Sequence, residues 1–506
     1  MALKLFTGNM PELMEIILHN LEGDSNSLYK CALVNRHWCK ISIPILWKDP
    51  FSFDKKPNYI SKYLSYLDNE DKLCLNEFKI SLIDDFPYHL FHYANFLKVL
   101  DLSLLETKVR QWISVQIPTS LRYSANTTII SLLLQLFIES GVSLSRFHII
   151  ISKSFIKPEI FYSLGQNIRF FSQLQYVSVD TGYEDFFADE NIAFLKVLAK
   201  TSTKIRTLQF NMHDVGYNVA PLCHALANII RSQCQLTEFN LTGMDLNVQE
   251  IIFALATQQK SLKEFKIDYC YDSGINFNVL LKCEKLETLR IRWYDEKSEI
   301  LKPLSNGSCN LNTLEIIDLE VDSSDVIQIL KKSNSSLQRL KLCPEDSVVQ
   351  SQSSLLEILL NFCPNITYLN ISSIELSLQL INLIGSLKNL QFLTLIWYSE
   401  KPAVIIKARI IQLIRATSPF LEYIEWRNSN REDPSYVDIL LDHCNAPLKK
   451  LICSNAKETI KAIIDFCKQK KTLKYVNIFY PDLKDVEKDL EKYVKLLQYD
   501  EIVENC

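Results

Sequence analysis

The stretch Leu286-Glu287-Thr288-Leu289-Arg290-Ile291 decides the reading of this chain, because its spacing of apolar residues, L-x-x-L-x-L, recurs along most of the sequence. Alternation turns Leu289 and Ile291 to one face of a short strand and Thr288, Arg290 and Arg292 to the other. One such strand buries too little to hold a fold, so its meaning lies in its copies. Equivalent stretches, with Phe, Ile, Val, Trp or Cys allowed at the apolar positions, begin at Leu75, Leu97, Leu144, Leu174, Ile205, Leu236, Leu262, Leu286, Leu311, Leu337, Ile366, Leu390, Leu421, Leu448 and Leu473. Apart from the gap between Leu97 and Leu144, successive starts lie 22 to 31 residues apart.

Helical patterns separate these strands, among them Ile192–Leu198, Leu222–Ile230 and Val248–Leu255. A repeated strand and helix predicts an α/β solenoid, with parallel strands on a concave face and helices on the convex face. The period is that of leucine-rich repeats. The array resembles the cysteine-containing leucine-rich repeats, in which a Cys shortly precedes the strand: here Cys234, Cys283, Cys309, Cys363 and Cys444. Most repeats lack the Asn expected after the strand. Register is open near 311–319, where Leu314 to Leu319 fits the pattern as well as Leu311 to Ile316. The 103–143 gap holds a helix candidate, Ile129 to Ile138, behind the polar stretch Thr119 to Thr128, and reads as a degenerate repeat or an inserted loop. At the other end, Leu483, Val486, Leu490, Tyr493 and Leu497 form a helical stripe expected to cap the last repeat.

The chain has 506 residues, 47% hydrophobic and 23% charged, as expected of a folded protein with a large core. A formal net charge of -4 argues against a broad phosphate-binding surface, so no nucleic-acid partner is expected. No apolar run reaches the roughly 18 residues a membrane helix needs, so no membrane partner is expected either. Glu12, Glu15 and His19 interrupt any signal-peptide core, which predicts an intracellular protein, cytoplasmic and/or nuclear. The fourteen cysteines then read as reduced thiols, mostly small buried hydrophobes. Ten glycines, none spaced for a phosphate loop, remove the commonest nucleotide-binding signatures.

Asn9-Met10-Pro11-Glu12 reads as a helix start, and a helix is expected over about Pro11–Asn20, with Leu13, Ile16, Ile17 and Leu21 as its apolar face. After Glu22 to Ser27 come Leu28 to Val34, then Asn35-Arg36-His37-Trp38 and Ile43-Pro44-Ile45-Leu46-Trp47. Met10-Pro11, Ile17-Leu18, Leu28, Leu33-Val34-Asn35-Arg36-x-Trp38 and Leu46-Trp47 resemble the F-box, a three-helix module, in the form found in expanded fungal families. The resemblance covers about residues 8 to 50. Met10 replaces the usual Leu, and Asn35 stands where Cys is common. In that family the module binds the Skp-family adaptor of SCF ubiquitin ligases and, through it, a cullin scaffold. The resemblance implies an adaptor-binding set drawn from Met10, Pro11, Leu13, Ile17, Leu28, Leu33, Val34 and Trp38. The residues alone leave open which of these face a partner and which the module's own core. An ordinary helical cap on the first repeat is the alternative.

No catalytic constellation emerges. His89-x-x-His92 and Cys223-His224 lack a second pair at metal-binding spacing, so neither metal nor cofactor is expected and the chain is not read as an enzyme. Binding is easier to argue, because outward positions can be counted along each strand. They give Thr288, Arg290 and Arg292, with Trp293 and Tyr294 directly after, then Arg339, Lys341, Tyr368, Phe392, Trp397, Tyr398, Tyr423, Arg427, Tyr475 and Phe479. Arg and aromatic residues carry much of the energy at protein interfaces. Arg290, Arg292, Trp293, Arg339, Lys341, Tyr368, Phe392, Tyr398 and Tyr423 are therefore the candidate substrate-binding residues, suited to a partner with acidic and apolar groups. The alternative is that these aromatics only stack along the sheet. The organisation expected is an F-box-like module over 1–50, a repeat solenoid over 51–480, and a capping helix and tail over 481–506. The function implied is a ubiquitin-ligase substrate receptor; a scaffold or sensor outside any ligase is the other reading.

Overall fold

The computed structural model describes all residues except 1–10, 54–55, 79, 81–89, 152–157, 183–188, 214–219, 244–247, 270–274, 293–299, 308–309, 319–322, 345–351, 430–433, 455–456, 480–488, 500–501 and 503–506. The chain divides into two compact units, Met1–Gln258 and Gln259–Cys506.

Among the described residues the first unit opens with three helices, α1 (Pro11–His19), α2 (Ser25–Ala32) and α3 (Arg36–Leu46). Two of their starts are fixed by side chains. Asp24 accepts from the Ser27 amide at 3.0 Å, and Asn35 accepts from the His37 and Trp38 amides, each at 2.9 Å. Such caps are worth about 1 kcal/mol each, which explains why an Asn serves at position 35. Met14, Leu18, Leu28, Trp38, Ile45 and Leu46 form the module's core. Trp47 packs against this core and also stacks on Tyr93 at 4.1 Å, with Tyr63 edge-on at 5.1 Å.

Five strands follow among the described residues of this unit: β1 (Val99–Asp101), β2 (Arg146–Ile150), β3 (Tyr176–Asp180), β4 (Thr207–Met212) and β5 (Glu238–Gly243). Each pairs in parallel with its sequence neighbour. The Lys48 carbonyl accepts from the Lys98 and Val99 amides, which ties the helical module to β1. Two residues ahead of β4 and of β5, a backbone amide is met by a buried side chain of the next repeat. Gln233 accepts from Ile205 N at 2.9 Å, and Gln258 from Leu236 N at 3.1 Å.

Among its described residues the second unit carries ten more strands: β6 (Glu264–Asp268), β7 (Thr288–Arg292), β8 (Thr313–Ile317), β9 (Arg339–Cys343), β10 (Tyr368–Glu375), β11 (Phe392–Tyr398), β12 (Tyr423–Asn428), β13 (Lys450–Ser454), β14 (Tyr475–Phe479) and β15 (Lys495–Leu496). All pair in parallel and in chain order, with helices between most of them. Both units are therefore α/β strand–helix repeats of the leucine-rich type. In β7, Leu289 and Ile291 are buried while Thr288, Arg290 and Arg292 are half-buried on the opposite face. Leu289 lies in register with Phe265 and Leu314, and Ile291 with Ile267 and Ile316, so β6, β7 and β8 contribute successive rungs to one apolar file.

Fourteen of the expected strand starts lead into β1 to β14. The stretch at Leu75 does not: it lies in the helix Asn69–Asn76, whose first turn is capped by Asp68, accepting from Asp71 N at 2.8 Å. Burial of Leu311, Leu314 and Ile316 resolves the open register in favour of the Leu311 frame. The 103–143 gap is a pair of packed helices, Leu102–Gln116 and Arg122–Glu139, the first capped by Asp101 at the end of β1. The expected C-terminal helix is overturned in part. Leu483 and Val486 lie outside the described residues, but Lys495–Leu496 form a strand that extends the sheet past β14. Pairing satisfies the open edge of β14, which a helix in that place would leave bare.

Candidate functional site

Two surfaces hold the residues singled out above. The first is the three-helix module. On helix α1, Met14 and Leu18 fill the core, Leu13, Ile16 and Ile17 are exposed, and Glu12, Glu15 and His19 line a polar side. The expected single apolar face is thus two faces, and Leu13, Ile16 and Ile17 lie on the outer one. An apolar helix face is normally a buried one. Leu33 and Val34, in the turn between α2 and α3, are 69% and 54% exposed, and Tyr29 on α2 is also exposed. Of the expected adaptor-binding set, Leu13, Ile17, Leu33 and Val34 are therefore open to solvent. Leu28 and Trp38 are core residues, because α2 and α3 turn them toward Met14 and Leu18. Pro11 opens α1 without a described side chain, and Met10 lies outside the described residues. Ile16 and Tyr29 join the exposed set; their apolar character was visible in the sequence, their exposure was not.

The second surface is the outward side of β6 to β14. Its arginines already have partners. Arg290 bonds Glu264 at 3.0 Å and lies 3.6 Å from Glu315, which also takes Arg339 at 2.5 Å. Arg292 donates to the Tyr269 hydroxyl at 2.6 Å. The expected demand for acidic groups on a partner is thus met within the chain by Glu264 and Glu315. Lys341, in register with Glu315 and Asn370, has no ion-pair partner among the described residues.

Beyond β9 the face turns aromatic. The Arg339 guanidinium lies 3.6 Å from the Tyr368 ring centre, and Tyr368, Phe392 and Tyr423 stand in register with centroids 5.9 and 6.0 Å apart. Strand spacing of about 4.8 Å accounts for such a file. Tyr398 accepts from Gln352 through its hydroxyl at 3.1 Å. Trp397 does not face outward: it is fully buried against Trp426 at 5.3 Å, because it shares the inward parity of Leu393 and Leu395. Trp293 and Tyr294 lie outside the described residues.

Tyr368 and Tyr423 are buried although they point away from the helices. The chain itself covers Tyr423. Tyr423, Ile452 and Ile502 form a cluster to which Phe392, Tyr475, Phe479, Leu497 and Tyr499 add their edges. At its base lies Glu425, 1% exposed, which pairs with Arg427 at 2.5 Å and accepts from Tyr423 at 3.2 Å, Thr394 at 3.3 Å and Tyr499 at 3.5 Å. Burial, and then the Glu425 charge, push the Tyr499 hydroxyl well above its ordinary range, so it stays a hydrogen-bond donor.

The thiols behave as packing groups. Cys283, Cys363 and Cys444, each ahead of a strand, are buried. Cys234 is exposed, its place inside being taken by Gln233, and Cys309 is not described. His224 bonds Glu250 at 2.8 Å, and His89 is not described. Among the described residues no helix is long and apolar enough to cross a membrane.

No protein-family model and no curated protein sequence matches the chain. Among solved structures, the Rad7 and Elc1 complex in yeast is similar at 14% identity and a TM-score of 0.46, covering 79% of this chain and 98% of that one.

Proposed function

We propose that this chain is a non-enzymatic substrate receptor of an SCF-type ubiquitin ligase, docking a Skp-family adaptor, and through it a cullin, with its N-terminal helices. The repeat strands hold the protein to be modified. The observation that carries the reading is the outer face of α1: Leu13, Ile16 and Ile17 lie exposed on a module whose core is already complete without them. A second apolar surface on so small a module is what a permanent partner would cover. It falls on the residues where the chain resembles the F-box. Ubiquitin transfer requires no catalytic residue from such a subunit, whose contribution is proximity.

The scaffold reading draws on a different observation, the stacking of Trp47 into the first repeat, which is how a simple cap would behave. The same stacking makes removal of residues 1 to 50 a poor test, since it would strip Tyr63 and Tyr93 of their cover. Co-purification of the full chain with a Skp-family adaptor, with and without Ile16→Gln and Leu33→Gln, separates the two readings. The receptor loses the adaptor on substitution; a scaffold binds none in either form.

A further inference from the structure

The C-terminal residues do more than complete the sheet. After β15 the chain crosses back over the outward side of β12 to β14. The Asn477 side-chain amide holds the Leu497 carbonyl at 2.8 Å, Lys450 holds the Ile502 carbonyl at 3.2 Å, and Ile502 N reaches Gln498 O at 3.3 Å. Tyr499 donates to the buried Glu425, and Ile502 enters the cluster with Tyr423 and Ile452, where it is 1% exposed. Arg427 stacks over Phe479 at 4.6 Å and Tyr499 at 6.0 Å. The contacts are those of a bound peptide: an aliphatic anchor, a phenol on a carboxylate three residues earlier, and backbone carbonyls held by Lys450 and Asn477.

We infer that the outward side of β12 to β14 is a peptide-binding site, that the chain's own Tyr499 and Ile502 occupy it, and that its external partner is a segment carrying an aromatic hydroxyl and, three residues on, an aliphatic side chain. This deepens the receptor reading by naming the class of segment recognised, yet the site itself stands without the adaptor. Beneath these residues the strands supply what such a segment needs. Glu425 accepts the hydroxyl's hydrogen bond, Ile452 and Tyr423 take the aliphatic group, and Lys450 takes a carbonyl. A tethered segment acts at an effective concentration of about 1 mM. Against a free peptide with a Kd near 100 µM, it would weaken apparent binding about tenfold.

The test is fluorescence anisotropy with a labelled peptide of residues 489–506 and the full chain. The Ile502→Asp chain, its tail released, is expected to bind this peptide about tenfold more tightly than the unsubstituted chain. A peptide carrying Tyr499→Ala, or a chain carrying both Ile502→Asp and Ile452→Lys, is expected to lose that gain. Equal binding by the unsubstituted and Ile502→Asp chains would overturn the inference, as would a gain that survives Ile452→Lys. If Ile502→Asp lowers the melting temperature by more than a few degrees, Tyr499→Phe in the chain replaces it, with an expected gain of about threefold for one lost hydrogen bond. No gain there overturns the inference equally. Because the assay contains no adaptor, failure of the ligase reading leaves its result intact.

Discussion

Substituting Ile16 and Leu33 by Gln separates surface from core within one small module. Fully burying a side chain of this size stabilises by about 1.5–3 kcal/mol. Ile16 is 60% exposed and Leu33 69% exposed, so each retains roughly two-thirds of that amount, about 1–2 kcal/mol, to release on contact with a partner. Together they account for about 2–4 kcal/mol, or a roughly 30- to 700-fold rise in Kd for a Skp-family adaptor. Neither residue contributes to the Met14–Leu18–Trp38 core, so the melting temperature should hold, with surface substitutions costing within about 0.5 kcal/mol. Trp38→Ala should do the reverse in the free chain, costing about 3–5 kcal/mol of module stability through the cavity it opens. Calorimetric titration of the adaptor and thermal melts of each variant provide both numbers. Unchanged adaptor affinity in the Ile16→Gln, Leu33→Gln chain, with the melt also unchanged, would refute the assignment of this face.

On the second unit, Arg427→Ala strands the buried Glu425 charge and should cost about 3–5 kcal/mol; adding Glu425→Gln should recover much of it, and a denaturant-based double-mutant cycle reads the coupling. Burial pushes the thiol of Cys283 up to about 11 and those of Cys363 and Cys453 up to about 12, so at pH 8 alkylation should mark the exposed Cys74 and Cys234 and spare these three until the chain unfolds, as mass spectrometry of digested protein would show. Ser373 sits at φ 55° where β10 slips register between Ser372 and Ile374, and Ser373→Gly should stabilise by about 1 kcal/mol in chemical denaturation.

The repeat was legible because it states one physical demand many times. Leu289 and Ile291 bury the same file as Ile267, Leu314 and Ile316, and a period-2 pattern needs no tertiary knowledge to be seen. Leu75 failed because the same apolar spacing fits one face of a short helix, and Asp68 decided the matter by capping it. The last residues were misread for a related reason. Leu490 and Leu497 keep helical spacing, but the open edge of β14 draws Lys495–Leu496 into the sheet. Which apolar residues face outward was not legible at all. Leu13 and Leu28 look alike in sequence, and only the crossing of α1, α2 and α3 sends one to solvent and the other to the core. The charges on the strand face show the same limit. Arg290 and Arg339 read as free cations until strand register placed Glu315 within reach of both.

The central claim is that the N-terminal helices exist to hold an adaptor. Light scattering coupled to gel filtration of the full chain mixed with a purified Skp-family adaptor tests it most directly. The account predicts a single species with the summed mass of one chain and one adaptor. Two species eluting at their separate masses, at micromolar concentrations of both, would contradict it.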